Sequence, residues 1–554
     1  MTANAAPARE SARVDFQTHP SRYRHWTLEV DGDIATLSMS VEPFGGQSKD
    51  YELKLNSYDL SVDIELADAT QRLLFEHPSV RTIIITGGLD RVFCAGANIH
   101  MLRSSAHGFK VNFCKYTNET RLYLEDATLS SNKRTLAALN GTASGGGYEL
   151  ALACDKILLV DDRSSAVSFP EVPLLGVLPG TGGLTRIADK RKIRRDLNDV
   201  FSTVAEGIKG KRAVRWNLVD RLAPLSRWDA AVAEMAQELA GETPAREDVG
   251  IELIPLELKV SDDSYSYKYV DLTLDRNSRV AALTITLPSE LGVDSPAAAH
   301  AEGAKWWPLQ LLRELDNAIL NARMNEPELG TITLRVVGDH KVALAMDDLL
   351  LSDEHWFTRE VRHFAKRVLK RVENTAKSLY AIMDVGTAFA GTFLELALVC
   401  DRTYVLNDPD EEVFVGIGRV HDGAYPMANG LTRLQTRFLG DEEGPGRVLE
   451  QAGEIIDAEA ADELGLATFA PDALDWEDEL RIALEERASF SPDSLTGMES
   501  NLRFAGPETM ETKIFGRLSA WQNWIFQRPN AVGEQGALQC YGTPNRPSFD
   551  TKRT

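Results

Sequence analysis

The sequence has little cysteine and no paired cysteine motif. Its five cysteines, among 554 residues, are scattered, and no two of them stand in a Cys-x-x-Cys spacing. They are Cys94, Cys114, Cys154, Cys400 and Cys540. An odd, scattered set argues against a disulfide framework or a cysteine zinc site, and it indicates a reducing, cytoplasmic compartment.

Long apolar runs and an excess of positive charge are also missing. The most apolar stretch, residues 379–400, contains Asp384 and Glu395, so we expect no membrane span. The N-terminus lacks the apolar core of a signal peptide, and we expect residues 1–20 to form a disordered tail. Lys and Arg number 60 against 83 Asp and Glu, which gives a net charge of −23. Such an acidic chain argues against nucleic acid or anionic lipid as the main partner.

The chain contains an internal repeat. Residues 138–155 (ALNGTASGGGYELALACD) resemble residues 384–401 (DVGTAFAGTFLELALVCD). Two further pairs are GGLTR at 182–186 with NGLTR at 429–433, and IATLSM at 34–39 with VAALTI at 280–285. The blocks follow one order at nearly one offset, which a common buried-helix pattern does not explain. They predict a duplicated architecture.

Strand and helix patterns alternate along the chain. Short β-branched segments bounded by glycine, such as RTIIIT at 81–86, are followed by stretches with helical spacing, and this is typical of the α/β class. A charged, proline-containing stretch at 241–248 predicts a linker. We therefore predict one domain over residues 21–250, a second over residues 251–490, and a helical C-terminal extension over residues 491–554.

Two glycine-containing turns in the first domain are candidate ligand sites. VFCAGANIHML (92–102) follows a buried strand, and SGGGYELALACD (144–155) places glycines before a helix. The amides at a helix start have no partner within the helix, and their partial positive charge favours an anion. Two such amides, one from each segment, suit a carbonyl oxygen and an enolate. Either segment alone is compatible with many ligands or with none.

Taken together, these segments resemble the crotonase (enoyl-CoA hydratase/isomerase) superfamily. FCAGANI and NGTASGGGYELALACD are similar to its two oxyanion-hole motifs, and SFPEVPLLGVLPGTGGLTR (168–186) to the stretch that carries its second glutamate. AVRWNLVDRLAP (213–224) resembles a closing element of the family. The resemblance implies a crotonase-like ββα spiral fold, an acyl-CoA thioester as substrate, and the amides of Ala97 and Gly146 as the oxyanion hole.

The resemblance also implies that Glu149 and Glu171 form a catalytic pair. Hydration chemistry needs two carboxyl groups, because a water must be oriented and deprotonated while a carbon gains or loses a proton. We expect Glu149 in the first turn of a helix, where the dipole favours its ionised form. We expect Glu171, between Pro170 and Pro173, in an extended loop.

Further contacts follow from the same resemblance. Lys54, Asn56 and Ala95 are implied to bind CoA. Cys114 follows the first oxyanion segment and is a catalytic candidate, although a lone, half-apolar cysteine is often inert core. No metal and no cofactor other than the CoA of the substrate is implied, and a homo-oligomer is expected, with a dimer favoured.

The second domain departs from the pattern of the family. It has Leu344-Ala345-Met346-Asp347 where the first has Cys-Ala-Gly-Ala, and Gly391-Thr392-Phe393-Leu394-Glu395 where the first has Gly-Gly-Gly-Tyr-Glu. We expect Thr392 and Phe393 to obstruct a carbonyl, and we find no second glutamate between residues 413 and 420. We therefore predict a non-catalytic structural copy.

The reaction itself is not defined by these motifs. One intact copy, one degenerate copy and tail segments at 490–510 and 520–533 resemble ring-cleaving members of the superfamily. That resemblance implies hydrolysis of 2,3-epoxybenzoyl-CoA by two waters to 3,4-dehydroadipyl-CoA semialdehyde and formate, in aerobic benzoate degradation. The alternatives are an enoyl-CoA hydratase or isomerase with a fused inactive domain, and a non-enzymatic acyl-CoA-binding protein.

Overall fold

The computed structural model describes residues 13–352 and 355–554. Of the predicted disordered tail, residues 1–12 lie outside the described residues. Residues 13–20 are packed rather than free, because Val14 is buried and the ring of Phe16 lies 5.6 Å from that of Tyr116. Apolar side chains at these two positions anchor the segment to the first unit.

The chain forms two compact units, Met1–Pro255 and Leu256–Thr554. The sequence places the first boundary at residue 250, within the same connecting stretch. Residues 491–554 belong to the second compact unit and are largely helical, as predicted. No helix in the described ranges is long and apolar enough to cross a membrane.

The first unit is built on a mixed six-stranded sheet of order β1-β2-β3-β5-β7-β10, beside a four-stranded sheet of order β4-β6-β8-β9. Its strands are β1 (Trp26–Asp31), β2 (Ile34–Met39), β3 (Thr82–Gly87), β4 (Arg91–Cys94), β5 (Arg134–Leu139), β6 (Gly141–Ser144), β7 (Lys156–Asp161), β8 (Ala166–Ser168), β9 (Ile208–Lys209) and β10 (Arg221–Pro224). Strands β1 and β2 are antiparallel, whereas β2, β3, β5, β7 and β10 run parallel. Parallel strands are buried on both faces, which explains continuous apolar runs such as that of β3.

The helices of the first unit carry most of the site. They are α1 (Leu60–Phe75), α2 (Ile99–Ser104), α3 (His107–Ser130), α4 (Gly146–Ala153), α5 (Gly183–Thr185), α6 (Arg195–Thr203), α7 (Gly210–Arg215) and α8 (Trp228–Gly241). Short 3-10 turns at Pro20–Arg22 and Leu225–Arg227, and π-helical turns at Glu171–Leu175 and Arg186–Lys190, complete the unit.

The second unit repeats this plan. Its seven-stranded sheet has the order β11-β12-β13-β14-β15-β16-β18, and a three-stranded sheet has the order β17-β19-β20. The strands are β11 (Lys259–Val260), β12 (Ser264–Ser266), β13 (Val270–Asp275), β14 (Val280–Thr286), β15 (Thr331–Val337), β16 (Ser378–Met383), β17 (Phe389–Ala390), β18 (Arg402–Val405), β19 (Phe414–Gly416) and β20 (Ile455–Asp457).

The helices of the second unit include the C-terminal set. They are α9 (Pro296–Glu302), α10 (Trp307–Met324), α11 (His340–Leu351), α12 (Trp356–Glu373), α13 (Thr392–Val399), α14 (Arg433–Arg437), α15 (Gly444–Leu449), α16 (Ala458–Glu463), α17 (Trp476–Ser489), α18 (Pro492–Leu502), α19 (Met510–Lys513), α20 (Ser519–Ile525), α21 (Pro529–Val532) and α22 (Ala537–Cys540). Shorter turns lie at Gly303–Lys305, Arg419–His421 and Ile514–Leu518.

Helices α4 and α13 show how closely the two units correspond. Each has eight residues and follows a glycine in the same unusual conformation: Gly145 has φ 53° and ψ −127°, and Gly391 has φ 51° and ψ −119°. A positive φ of this kind favours glycine because a side chain would be strained. The repeat in the sequence is therefore a repeat in the backbone at the position of the candidate site.

Candidate active site

Two backbone amides in the first unit lie free at the meeting point of two loops. Tyr58 N–H donates to Gly96 O at 3.0 Å and Asn98 N–H donates to Tyr58 O at 2.8 Å, which leaves the Ala97 amide unused. Gly146 is the first residue of α4, so its amide has no partner in the helix. No residue that the structure describes accepts a hydrogen bond from either amide. A Cβ on Gly96 would stand 2.9 Å from Gly146 N, so the two loops touch.

Glu149 is held rigidly in the first turn of α4. Its Oε1 accepts hydrogen bonds from Thr181 N at 2.9 Å and Gly183 N at 2.8 Å, and its Oε2 accepts one from the Thr181 hydroxyl. The residue is buried. The glycine-rich stretch before α5 therefore serves to hold this carboxyl group, a role that the sequence pattern alone does not specify.

The pKa of Glu149 is shifted in the direction opposite to the prediction. Burial raises the pKa of this carboxyl above its ordinary value, against the lowering effect of the Thr181 and Gly183 bonds and of the Arg121 charge. The helix dipole was expected to favour the ionised form, but removing a charge from water is the larger effect at a buried site.

Glu171 lies opposite the start of α4. It begins a π-helical turn, so the predicted extended loop is wrong. The prolines allow this because the first residues of a helical turn need no amide donors, and Pro173 falls among them. Any side chain on Gly145 would collide with the Glu171 carboxylate, so the glycine makes room for the acid.

The pKa of Glu171 is raised to about 7, first by burial and then by the neighbouring charge of Glu149. Its Oε2 is buried and has no hydrogen-bond partner among the described residues. A carboxyl group whose pKa is raised close to neutrality by burial and by a neighbouring carboxyl group is suited to exchange a proton near neutral pH. The structure thus brings the predicted pair together beside the predicted amides.

Cys114 lies on α3 with its sulfur facing the loop that follows Glu171. A Cβ on Gly180 would contact the sulfur at 3.8 Å. Burial, followed by the charges of Glu149 and Asp63, raises the pKa of the thiol to about 11. This shift disfavours the thiolate form, and a catalytic role for Cys114 stays a prediction. A role as a pocket-lining group remains a prediction.

The predicted CoA contacts separate into two kinds. Lys54 is exposed and pairs with Glu52 at 3.0 Å, and Ala95 is exposed with its amide bound to Leu55 O at 3.1 Å. Asn56 is buried, its Oδ1 accepts from Val41 N, and its Nδ2 donates to the carbonyls of Met39 and Phe93. These bonds occupy the amide, so we reassign Asn56 from CoA binding to holding the loop.

A buried ion pair beside Tyr58 was not predicted from the sequence. Arg121 on α3 forms an ion pair with Asp63 on α1, and its guanidinium lies 5.3 Å from the ring centre of Tyr58. Arg121 and Tyr58 are both almost completely buried. The two residues are 58 positions apart in the sequence, and only the packing of α1 on α3 brings them together.

In the second unit the corresponding amide is already occupied. Thr392 N, the counterpart of the Gly146 amide, donates to Asp347 Oδ2 at 2.8 Å, and the Thr392 hydroxyl donates to Asp347 Oδ1 at 2.5 Å. Asp347 lies on α11, so a helix replaces the first oxyanion loop. The obstruction expected from Thr392 and Phe393 is instead a carboxyl group of the protein itself.

Neighbouring side chains bind both oxygens of Glu395, the counterpart of Glu149. Glu395 Oε2 pairs with Arg433 at 2.6 Å and Oε1 bonds to His421 Nδ1 at 2.6 Å. All three side chains are buried. An acid that is paired with Arg433, hydrogen-bonded to His421 and close to a filled amide has no free site for a thioester, which supports the prediction of a non-catalytic copy.

We expect Glu395→Gln to leave turnover unchanged. It should nevertheless lower the free energy of unfolding, by on the order of 3 kcal/mol, because it removes one partner from a buried ion pair. Steady-state kinetics and chemical denaturation measure the two effects separately. A large loss of turnover in a folded variant would show that the second unit is a working site.

Comparison with known proteins shows which family the chain resembles. The profile of the enoyl-CoA hydratase/isomerase family matches residues 52–249. Benzoyl-CoA-dihydrodiol lyase of Aromatoleum evansii is 51% identical over 543 residues, which is 98% of each chain. Carnitinyl-CoA dehydratase of Proteus mirabilis (strain HI4320) is 32% identical over 195 residues, covering 34% of this chain and 69% of that protein. A solved enoyl-CoA hydratase structure from Geobacillus kaustophilus HTA426 is 30% identical, covers 40% of this chain and 75% of that one, and has a TM-score of 0.35.

The chain belongs to the enoyl-CoA hydratase/isomerase, or crotonase, superfamily, and it is an enzyme of that class. Its similarity to benzoyl-CoA-dihydrodiol lyase extends over both units and the C-terminal helices, so the resemblance implied by the duplicated architecture is confirmed. Within residues 13–352 and 355–554, no group of three or more His, Cys, Asp or Glu side chains is arranged to hold a metal ion.

Proposed function

We propose that this enzyme cleaves the ring of 2,3-epoxybenzoyl-CoA with two waters, giving 3,4-dehydroadipyl-CoA semialdehyde and formate. The observation that carries the proposal is the full-length similarity to a benzoyl-CoA-dihydrodiol lyase, since the crotonase motifs alone define only a superfamily. The arrangement of Glu149 and Glu171 beside two free amides supports it, because the reaction moves protons and places negative charge on a thioester.

The proposed sequence of steps uses each part of the site. A carboxylate takes a proton from the first water, which opens the epoxide. Opening of the epoxide breaks the first carbon–carbon bond of the ring and leaves two aldehyde groups. The second water adds to the aldehyde next to the carbon that bears the thioester, and the second carbon–carbon bond then breaks. Formate leaves, and the electron pair stays conjugated with the thioester, where the amides of Ala97 and Gly146 stabilise the charge until the carbon is protonated. Substrate and two waters account for every atom of the products, so the steps require no redox partner.

Within this scheme Glu171 is the better candidate for the acid. Its pKa of about 7 and its unpartnered Oε2 describe a carboxyl group that carries a proton at neutral pH and has no internal acceptor for it. Glu149, with three donors on its oxygens, is better placed as the base. The second water would then be activated by whichever carboxylate is free.

We expect kcat/KM to fall as pH rises above about 7, because the protonated form of Glu171 is lost there. The pKa of Glu171 is higher in the folded than in the unfolded protein. Its contribution to the free energy of unfolding is therefore complete below the ordinary pKa of a glutamate and is lost as pH rises through about 7. Glu171→Gln should lower turnover, abolish this limb of the profile and raise the melting temperature at pH 8 relative to the native enzyme. A kcat/KM that increases through pH 7 would assign Glu171 as a base instead.

The function is tested by mixing the protein anaerobically with 2,3-epoxybenzoyl-CoA and analysing the products by mass. Stoichiometric formate and a CoA ester of the semialdehyde support the proposal. The competing function is that of an enoyl-CoA hydratase or isomerase with a fused inactive unit. In that case crotonyl-CoA would be hydrated efficiently and no formate would form from the epoxide. Glu149→Gln serves as the matched inactive control.

A further inference from the structure

Tyr58 contacts both oxyanion loops of the first unit, one through its main chain and the other through its side chain. Its main chain is bonded on both sides of Ala97, through Gly96 O and Asn98 N. Its hydroxyl lies against Gly146, where a Cβ would collide with it. Gly146 therefore lacks a side chain in the place where the tyrosine hydroxyl needs space.

The hydroxyl has no partner although it is buried. Tyr58 is 1% exposed, and no described residue forms a hydrogen bond with its oxygen. Buried hydroxyl groups are nearly always hydrogen-bonded, and leaving one unpaired costs about 1–3 kcal/mol. An orphaned donor in a folded site suggests that its acceptor arrives with a ligand.

The direction of the hydroxyl follows from helix geometry. The Cα–Cβ bond of a helical residue tilts towards the N-terminus of its helix. Because the hydroxyl lies where the Gly146 Cβ would be, it lies at the N-terminal end of α4, towards which the Gly146 amide also points. The tyrosine hydroxyl and the Gly146 amide thus lie at the same end of α4, beside the loop that carries Ala97.

We propose that Tyr58 donates a hydrogen bond to the thioester oxygen of the bound CoA ester, as a third donor beside the amides of Ala97 and Gly146. The ring rests between Phe113 at 6.0 Å and the Arg121 guanidinium at 5.3 Å, and Asp63 holds Arg121 in turn. Burial holds the pKa of the phenol well above its usual range. Tyr58 therefore keeps its proton and stabilises charge without transferring a proton. The inference rests on the proposed function only in taking a CoA thioester as the ligand.

Tyr58→Phe tests the proposal because it removes the oxygen alone. We expect turnover to fall by about 100-fold to 1000-fold, the scale of one oxyanion donor. The melting temperature should stay the same or rise, because an unpaired buried hydroxyl is lost. In isotope-edited infrared spectra of bound, carbonyl-labelled benzoyl-CoA, the carbonyl stretch should lie closer to its position in water than in the native complex.

Tyr148→Phe is the matched control. Tyr148 lies on α4, the helix that begins at Gly146. Its hydroxyl is also buried, but this hydroxyl donates to Leu218 O at 2.7 Å. Its loss should lower the melting temperature and leave the carbonyl stretch of bound benzoyl-CoA unchanged.

An unchanged carbonyl stretch in Tyr58→Phe would overturn the proposal, whatever the turnover. A fall in melting temperature with that unchanged stretch would identify Tyr58 as a brace for the two loops. If the native enzyme releases no formate from the epoxide, the ring-cleavage function fails, while the infrared comparison with benzoyl-CoA still decides the role of Tyr58.

Discussion

Glu149→Gln should lower turnover by about 100-fold or more, the usual scale for losing an acid or base, while CoA-ester affinity changes little. Glutamine keeps an oxygen that accepts from Thr181 N and Gly183 N, and the Thr181 hydroxyl is able to rotate and accept from the new amide. The fold of the site should therefore survive while proton transfer is lost. Formate release measures the turnover, and titration with benzoyl-CoA measures the affinity.

The second unit supplies a control within the same chain. Glu395 is the fourth residue of α13, as Glu149 is of α4, and both are buried. Of the two, only Glu149 lies beside an amide that has no partner among the described residues, because Asp347 accepts from the Thr392 amide near Glu395. Near-normal turnover in folded Glu149→Gln would remove Glu149 from the mechanism, whereas an equal loss in Glu149→Gln and Glu395→Gln would show that the second unit is a working site as well.

The local part of this site could be predicted from the sequence. A glycine run before an apolar helix is a property of adjacent residues, so the start of α4 and the position of Glu149 in its first turn followed from the pattern. The correspondence of α4 and α13 followed from the repeat for the same reason.

What depends on distant residues could not be predicted. The burial of the Asn56 amide among Val41, Met39 and Phe93 arises where separate strands meet, and a loop pattern contains no sign of it. The π-helical turn at Glu171 is also set by its surroundings, since two prolines are compatible with either form.

The closed site of the second unit shows the same limit. The sequence predicts an inactive copy from the residues beside the glycine, whereas the structure shows a different obstruction at this position. Asp347 comes from α11 and caps Thr392 N, and burial raises the pKa of this carboxyl to about 8. The protein itself satisfies an amide that suits an anion, and a side chain on Gly391 would collide with the Asp347 carboxyl group.

Gly146→Pro should abolish activity, because proline removes one of the two amides proposed to hold the thioester oxygen. Proline is well tolerated at the first position of a helix, so α4 itself should form. The structure adds a complication, since any Cβ at this position collides with the Tyr58 hydroxyl.

Gly146→Ala separates these two effects. It introduces the same Cβ next to Tyr58 and keeps the amide, so both variants share the steric change and only proline lacks the donor. We expect alanine to lower turnover through the displaced tyrosine, and proline to lower it by about a further 100-fold. Far-UV circular dichroism and melting temperature check that both variants are folded. If folded Gly146→Pro is no slower than Gly146→Ala, the Gly146 amide does not stabilise the transition state, and the charge must be held by Ala97 and Tyr58 alone.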